Sequence, residues 1–379
     1  MPKIVVCPDS FKGSISAAQA SKCIAKTLRE IIPDCEVLEL PLADGGEGTS
    51  GLVQDYYPVK NLIYTKDPLN RIIQACYHTD STKRKAFIES AEFIGLPLLG
   101  QEERNPLLTT SFGLGQAISH ALDQGVEDIT ISLGGSATND AGTGMLEALG
   151  FMLQDLNGRL LPGTGENLLK IRSILPPEEF ESLSRVKFTV VCDVENPLFG
   201  PDGAAYVFAP QKGASESDLP ALDQGLRNFY EVSCQSGFCK KDEAYEKGMG
   251  AAGGIAFSLK TFLRGRIIKG IDYVLNHLDF EGKLEGADLI ITGEGRLDRQ
   301  SLMGKVVSGV LERSAKKGIP VIALAGKIED ADVLRSSGLS ELIEIADPAK
   351  SLEENMRPDV ALFNIRNAII NRFLRFGYR

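Results

Sequence analysis

The sequence predicts an α/β protein: a doubly wound parallel-sheet domain assembled from both ends of the chain, with a second α/β domain inserted between them. Three observations carry this. Short apolar runs of strand length occur at both ends, residues 4–7 and 287–291, and each stops at a small glycine-bearing turn before a helical repeat. Between them the rhythm changes: runs at 59–65, 71–79 and 84–90 are separated only by turn residues and read as an antiparallel meander. Finally, 379 residues of which 43% are hydrophobic can fill two cores. The boundaries this suggests are 1–58 plus 286–379 for the terminal domain and 59–285 for the insertion.

Taken in order, residues 4–7 form the first buried strand. Ala20, Ile24, Thr27, Leu28 and Ile31 then recur at helical spacing, with Ser14 or Ser16 available as N-cap. Residues 37–40 make a second strand that runs into Asp44-Gly45-Gly46-Glu47-Gly48. After the meander come a helix through Leu114, Ile118 and Ala121 and a strand at 129–133, which either sheet can accommodate. A hairpin-like stretch at 151–161 and a strand at 187–192 follow. Strand–helix alternation resumes at 287, with a helix through Val306, Val307, Val310 and Leu311. Strands at 321–325 and 342–345 come next, and Leu362, Ile365, Ile369 and Phe373 stripe the last helix.

A net charge of −10 excludes nucleic acid and anionic membranes as partners, because both demand clustered positive charge. No apolar run is long enough to span a bilayer, and no basic-then-apolar leader follows Met1. The seven cysteines lack C-x-x-C spacing, and Cys234 and Cys239 have no second pair with which to hold zinc. A soluble protein of a reducing cytoplasm is expected. Its partner is a small molecule, and monomer and homodimer are left undecided.

Four stretches concentrate the chemistry. Asp9-Ser10-Phe11-Lys12-Gly13-Ser14 places a carboxylate, hydroxyls and a cation at a helix start; capping alone does not call for Lys12, since a cation there is slightly unfavourable. Gly134-Gly135-Ser136-Ala137-Thr138-Asn139-Asp140 sits between strand and helix and offers backbone donors to a phosphate; tight-turn geometry explains its glycines but not Asn139-Asp140. Asp193 follows an apolar strand, where a carboxylate can accept a hydroxyl proton or hold Mg²⁺, though a lone Asp there is more often a turn former. In Thr292-Gly293-Glu294-Gly295-Arg296-Leu297-Asp298, Glu294 and Asp298 are metal or base candidates. Arg296 and Lys305 are anion candidates, against the plainer reading of a solvated helix start.

Two familiar nucleotide loops are rejected. Gly295 and Gly304 are too widely spaced for a P-loop, and Val306 replaces its magnesium-binding hydroxyl. Gly248-Met249-Gly250-Ala251-Ala252-Gly253 satisfies G-x-G-x-x-G, but the charged residues 242–247 before it cannot be the buried strand that fingerprint requires. Only three histidines occur and none lies in a nucleophile motif, so acid–base work falls to carboxylates and lysine.

Pro8-Asp9-Ser10-Phe11-Lys12-Gly13-Ser14, Leu42-Ala43-Asp44-Gly45-Gly46-Glu47-Gly48-Thr49, Phe87-Ile88-Glu89-Ser90-Ala91, the 134–140 loop, Cys192-Asp193-Val194-Glu195-Asn196-Pro197-Leu198 and the 292–298 turn occur in that order. With these blocks the chain resembles type I glycerate kinase along essentially its full length. The resemblance implies a flavodoxin-like terminal domain and an inserted α/β domain with the site in the cleft. It also implies ATP- and Mg²⁺-dependent phosphorylation of D-glycerate to 2-phosphoglycerate. On that expectation Asp193 is the base. Lys12, Arg296 and Lys305 neutralise carboxylate and phosphate, with Asp9, Ser10, Ser14, Ser136 and Asn139 around them. Asp44, Glu294 and Asp298 serve Mg²⁺ or its water shell, and Gly45, Gly46, Gly134 and Gly135 supply backbone donors. The rivals are a nicotinamide oxidoreductase, which lacks a correctly placed fingerprint, a non-catalytic acid-binding protein, and attack through the other hydroxyl to give 3-phosphoglycerate.

Overall fold

The computed structural model describes residues 1–43, 56–178 and 180–376. The chain divides into two compact units, Met1–Leu52 with Lys269–Arg379 (the terminal unit) and Val53–Ile268 (the inserted unit). The strands are β1 (Lys3–Val6), β2 (Glu36–Glu39), β3 (Val59–Lys66), β4 (Ile72–Thr79), β5 (Lys85–Glu89), β6 (Asp128–Ser132) and β7 (Met152–Gln154). They continue as β8 (Ser173–Leu175), β9 (Lys187–Val191), β10 (Arg266–Ile268), β11 (Leu289–Leu297), β12 (Val321–Ile328) and β13 (Glu341–Glu344). The longer helices used below are α1 (Ala17–Ile31), α2 (Phe112–Asp123), α3 (Gly270–His277), α4 (Val306–Lys317) and α5 (Pro358–Phe376).

In the terminal unit five parallel strands lie in the order β13-β12-β11-β1-β2. Counted within this unit alone the order is 2-1-3-4-5, the doubly wound arrangement whose switch point lies between β1 and β11. The period of two along a strand decides which helices cover which face. Ile4 and Val6 face the core made with Ala20, Ile24 and Leu28 of α1 and Ile365 and Ile369 of α5. Val5 and Cys7 face the opposite core, with Ile271 and Leu275 of α3 and Val307 and Val310 of α4. Residues 269–285, expected in the insertion, therefore belong to the terminal unit: Ile271, Val274, Leu275, Phe280 and Leu284 are buried against its sheet.

The inserted unit carries a six-stranded sheet in the order β10-β9-β6-β5-β4-β3. β3, β4 and β5 form the antiparallel meander, while β5, β6, β9 and β10 run parallel. The strand at 129–133 lies at the centre of this sheet, as β6. β7 pairs with the later β8 rather than forming a simple hairpin, although Gln154 also bridges to Leu160. Cys234 and Cys239 are joined in a disulfide; their Cα atoms are 4.6 Å apart across the turn that ends the helix Leu219–Gln235. Among the described residues no helix is long and apolar enough to cross a membrane.

Candidate active site

The turn after β1 and the carboxyl end of β11, from opposite ends of the chain, reach one edge of the terminal sheet. The Cys7 N–H donates to Ile291 O and the Asp9 N–H to Gly293 O, both at 2.8 Å, so the segment after β1 runs alongside β11. The Thr292 hydroxyl donates to Cys7 O at 3.0 Å. Phe11 and Ile15 are buried and bridge a tight turn that leaves Lys12 exposed. A Cβ on Gly295 would lie 3.3 Å from the Lys12 nitrogen, so this turn rests directly on the β11 glycine. Ser16, not Ser14, caps α1, accepting from the Gln19 N–H at 3.2 Å while its own N–H donates to Gln19 Oε1 at 2.9 Å. The hydroxyl of Ser14 is buried and has no hydrogen-bond partner among the described residues.

The turn expected at Thr292 is instead strand. β11 continues to Leu297, pairing Glu294 with Ala325 and Arg296 with Lys327 of β12. Gly293 serves that pairing: a Cβ there would meet Leu324 O at 2.4 Å. The chain turns only at Arg299–Leu302, capped by Asp298, whose Oδ1 accepts from the Gln300 N–H at 2.8 Å. Lys305 then stands at the N-cap position of α4.

Asp9, Ser10, Lys12, Ser14, Glu294, Arg296, Asp298 and Lys305 all line one cavity of about 810 Å³ within this unit. Glu294 is its least ordinary member. Burial pushes its carboxyl up to about 7, with the nearby Asp9 and Asp298 adding to the rise, against the Ser301 hydroxyl and Lys305, which pull it down. Its Oε1 is buried without a hydrogen-bond partner among the described residues, a costly state unless a ligand or proton answers it. Asp9 is also buried, and its Oδ1 accepts from the Ser10 N–H at 2.6 Å. Arg296 is paired with Glu329 at 2.6 Å and faces Asp298 at 3.5 Å.

Magnesium is usually held by one or two carboxylates together with substrate phosphates and water. The orphaned oxygen of Glu294 fits such a ligand, with Asp9 beside it. Asp298 fits less well, because one of its oxygens caps the turn and the other faces Arg296. Among the described residues no three potential metal-binding side chains converge. Asp44, Gly45 and Gly46 lie outside the described residues.

The remaining nominated residues lie in the inserted unit, at the carboxyl ends of its central strands. Gly134 and Gly135 follow β6, and Asp193 follows its neighbour β9; Ser132 pairs with Val191. Gly134 and Gly135 are exposed, and a Cβ on Gly134 would meet nothing within 4 Å. Ser136 and Asn139 are buried instead. Ser136 Oγ accepts from Lys212 Nζ at 3.0 Å, and both polar atoms of the Asn139 side chain lack partners among the described residues. Asp193 is exposed on its loop.

Sequence reasoning missed Lys212, a lone lysine in an ordinary stretch. It is buried, donates to Ser136 Oγ and to Thr138 O at 2.7 Å, and burial drives its ammonium down to about 7. Asp140, left unexplained by turn geometry, organises the loop. It accepts from the Ser111 N–H and hydroxyl at 2.8 and 2.7 Å and from the N–H groups of Gly142 and Gly144. Lys327 was also missed, although the run 321–325 followed by Gly326-Lys327 repeats the pattern used elsewhere.

The model of the glycerate kinase family matches residues 4–374. The chain belongs to the glycerate kinase family. It is 38% identical over 357 residues to the glycerate 2-kinase of Escherichia coli K12, covering 94% of this chain and 93% of that protein. It is 40% identical over 358 residues to the glycerate kinase of Bacillus subtilis 168, covering 93% and 92%. The crystal structure of a candidate glycerate kinase 2 from Salmonella typhimurium LT2 superposes with a TM-score of 0.82 at 38% identity, covering 98% of this chain and 97% of that one. Membership in the glycerate kinase family makes the chain an enzyme, a kinase with a mixed α/β fold.

Proposed function

We propose that this enzyme transfers the γ-phosphoryl group of ATP to D-glycerate in the cytoplasm, giving 2-phosphoglycerate and ADP, with Mg²⁺ held at Glu294. One observation carries the reading: Lys12, Lys305 and a buried carboxylate with an unanswered oxygen converge in a single cavity at the switch point of a doubly wound sheet. Phosphoryl transfer needs little covalent help from protein; it needs positioning and compensation of charge. Mg²⁺ held at Glu294 would offset negative charge on the nucleotide phosphates. Lys12 and Lys305 offset the negative charge of phosphate and carboxylate. Ser10 and Ser14 orient oxygens through their hydroxyls, and Gly134 and Gly135 present open backbone donors. Asp193 accepts the proton of the attacking 2-hydroxyl. Arg296, tied to Glu329, acts as a fixed part of the cavity wall.

The test is incubation with ATP, Mg²⁺ and D-glycerate, followed by enolase without a mutase. Phosphoenolpyruvate is expected, since only the 2-phospho acid is a direct enolase substrate. ADP release without phosphoenolpyruvate would assign attack to the 3-hydroxyl, and no ADP release would remove the kinase reading.

A further inference from the structure

A three-carbon hydroxy acid leaves much of the terminal-unit cavity unexplained. D-glycerate is polar on every side, and a volume of about 810 Å³ suits a ligand of drug size. Away from Lys12, Glu294 and Lys305 the lining gains apolar side chains, Ile345, Ala346, Pro348, Leu352 and Met356, set among Asp347, Lys350 and the amides Asn355 and Asn364. Ile345 belongs to the buried core under α5, so this wall is firmly backed. Met356 lies over the turn after β1: a Cβ on Gly13 would come within 2.7 Å of its Cε. An apolar stretch continuous with an end where Lys12, Lys305 and Lys327 stand beside the carboxylates of Asp9 and Glu294 suits a nucleotide, with the base on the first and the metal-bound phosphates on the second.

The hydrogen bonds fix which way Asn364 faces. The Asp347 N–H, which can only donate, reaches Asn355 Oδ1 at 2.8 Å. Asn355 Nδ2 in turn donates to the carbonyls of Asp347, Lys350 and Ser351. With Asn355 so oriented, Asn364 must offer its NH₂, and its Nδ2 donates to Asn355 Oδ1 at 3.1 Å. The carbonyl oxygen of Asn364 is thereby the acceptor end of a nearly buried side chain on the cavity wall.

We infer that this end of the cavity seats the purine of the nucleotide, and that Asn364 Oδ1 accepts a hydrogen bond from the exocyclic amine of adenine. The inference rests on the kinase reading above. It makes the terminal unit the nucleotide-binding part of the chain and Asn364 a specificity residue. Inosine has a 6-oxo group in place of the amine, so it would set acceptor against acceptor.

Calorimetric titration of the full chain with ATP and with ITP, in Mg²⁺ and without glycerate, tests this directly. ATP should bind at least about fivefold more tightly than ITP, the scale of one neutral hydrogen bond. Asn364→Leu should bring ATP affinity down to that of ITP. Ala346→Phe, at a partly exposed position, should weaken both nucleotides about tenfold or more while the KM for D-glycerate stays within twofold. Equal wild-type affinity for the two nucleotides would overturn the assignment, as would undiminished nucleotide binding in Ala346→Phe with a raised KM for the acid. ATP-selective binding without ADP release on adding D-glycerate would uphold the subsite and sink the kinase reading.

Discussion

The two glycine-rich stretches, residues 134–144 and 293–304, look alike in sequence and are used differently. In the inserted unit only the first two glycines are open. Gly144 is wedged against the start of α2, where a Cβ would meet Thr110 Oγ1 at 2.1 Å and the Phe112 nitrogen at 2.7 Å. Gly253, from the rejected fingerprint, presses on the same loop, with Thr138 O 2.2 Å from its would-be Cβ. Beneath them Asp140 and Lys212 are sealed in a polar lattice. In the terminal unit the glycines space two strands and a turn, and the carboxylate between them opens onto a cavity. Clustered glycine therefore signals close backbone approach, and only the neighbour, protein or ligand, tells which kind.

The largest expected effect separates open glycine from packed glycine. Gly144→Ala should cost about 3 kcal/mol or more, because the atoms it strikes include backbone that cannot swing aside. Gly134→Ala should leave chemical unfolding within about 0.5 kcal/mol of wild type. Equal losses from the two would erase the distinction.

Next comes chemistry. Asp193→Asn should lower kcat on the order of 10²-fold or more while KM values stay close to wild type. A near-wild-type rate would exclude Asp193 as the base and shift attention to Glu89 at the end of β5, whose carboxyl burial and the neighbouring Glu92 both raise.

The smallest effect is read from pH. Glu294 and Lys212 both titrate at about 7, one raised from 4.5 and the other lowered from 10.5, so their contributions to stability have opposite slopes. For Glu294 the folded state holds the proton more tightly, so its contribution is complete below about 4.5 and is lost as pH rises through about 7. For Lys212 the unfolded state binds more protons between about 7 and 10.5, so stability rises with pH across that window. Unfolding curves should show Glu294→Gln more stable than wild type by on the order of 1–3 kcal/mol at pH 8, converging by pH 4. Lys212→Met should flatten the rise between pH 7 and 10. A Glu294→Gln difference that is the same at every pH would mean that the carboxyl is not desolvated.

Much of the fold was legible because its signals are local. Short apolar runs of strand length marked β1, β11 and β12, and the turn residues between 59 and 90 marked the meander. The end of β11 was not legible: Thr292-Gly293-Glu294-Gly295 reads as a turn, and only pairing with β12, which itself runs on to Ile328, holds it extended. Residues 269–285 were assigned to the insertion because nothing local in Ile271, Leu275 or Phe280 says which sheet will bury them. At the site, Asp9, Lys12, Glu294 and Lys305 stood out as charges in the short glycine-bearing segments that follow apolar runs. Lys212 and Asn364 did not, since their roles come from partners far along the chain or from an amide orientation set by a neighbour.

The amino-acid sequence by itself determined the strand and helix periods and the α/β class, since each depends on spacing within a few residues. The tertiary structure alone decided which charges are buried and which oxygens go unanswered. Desolvation depends on atoms contributed from distant parts of the chain: Glu294 and Asp298 are neighbours in sequence, yet the first is left with an orphaned oxygen and the second becomes a helix cap.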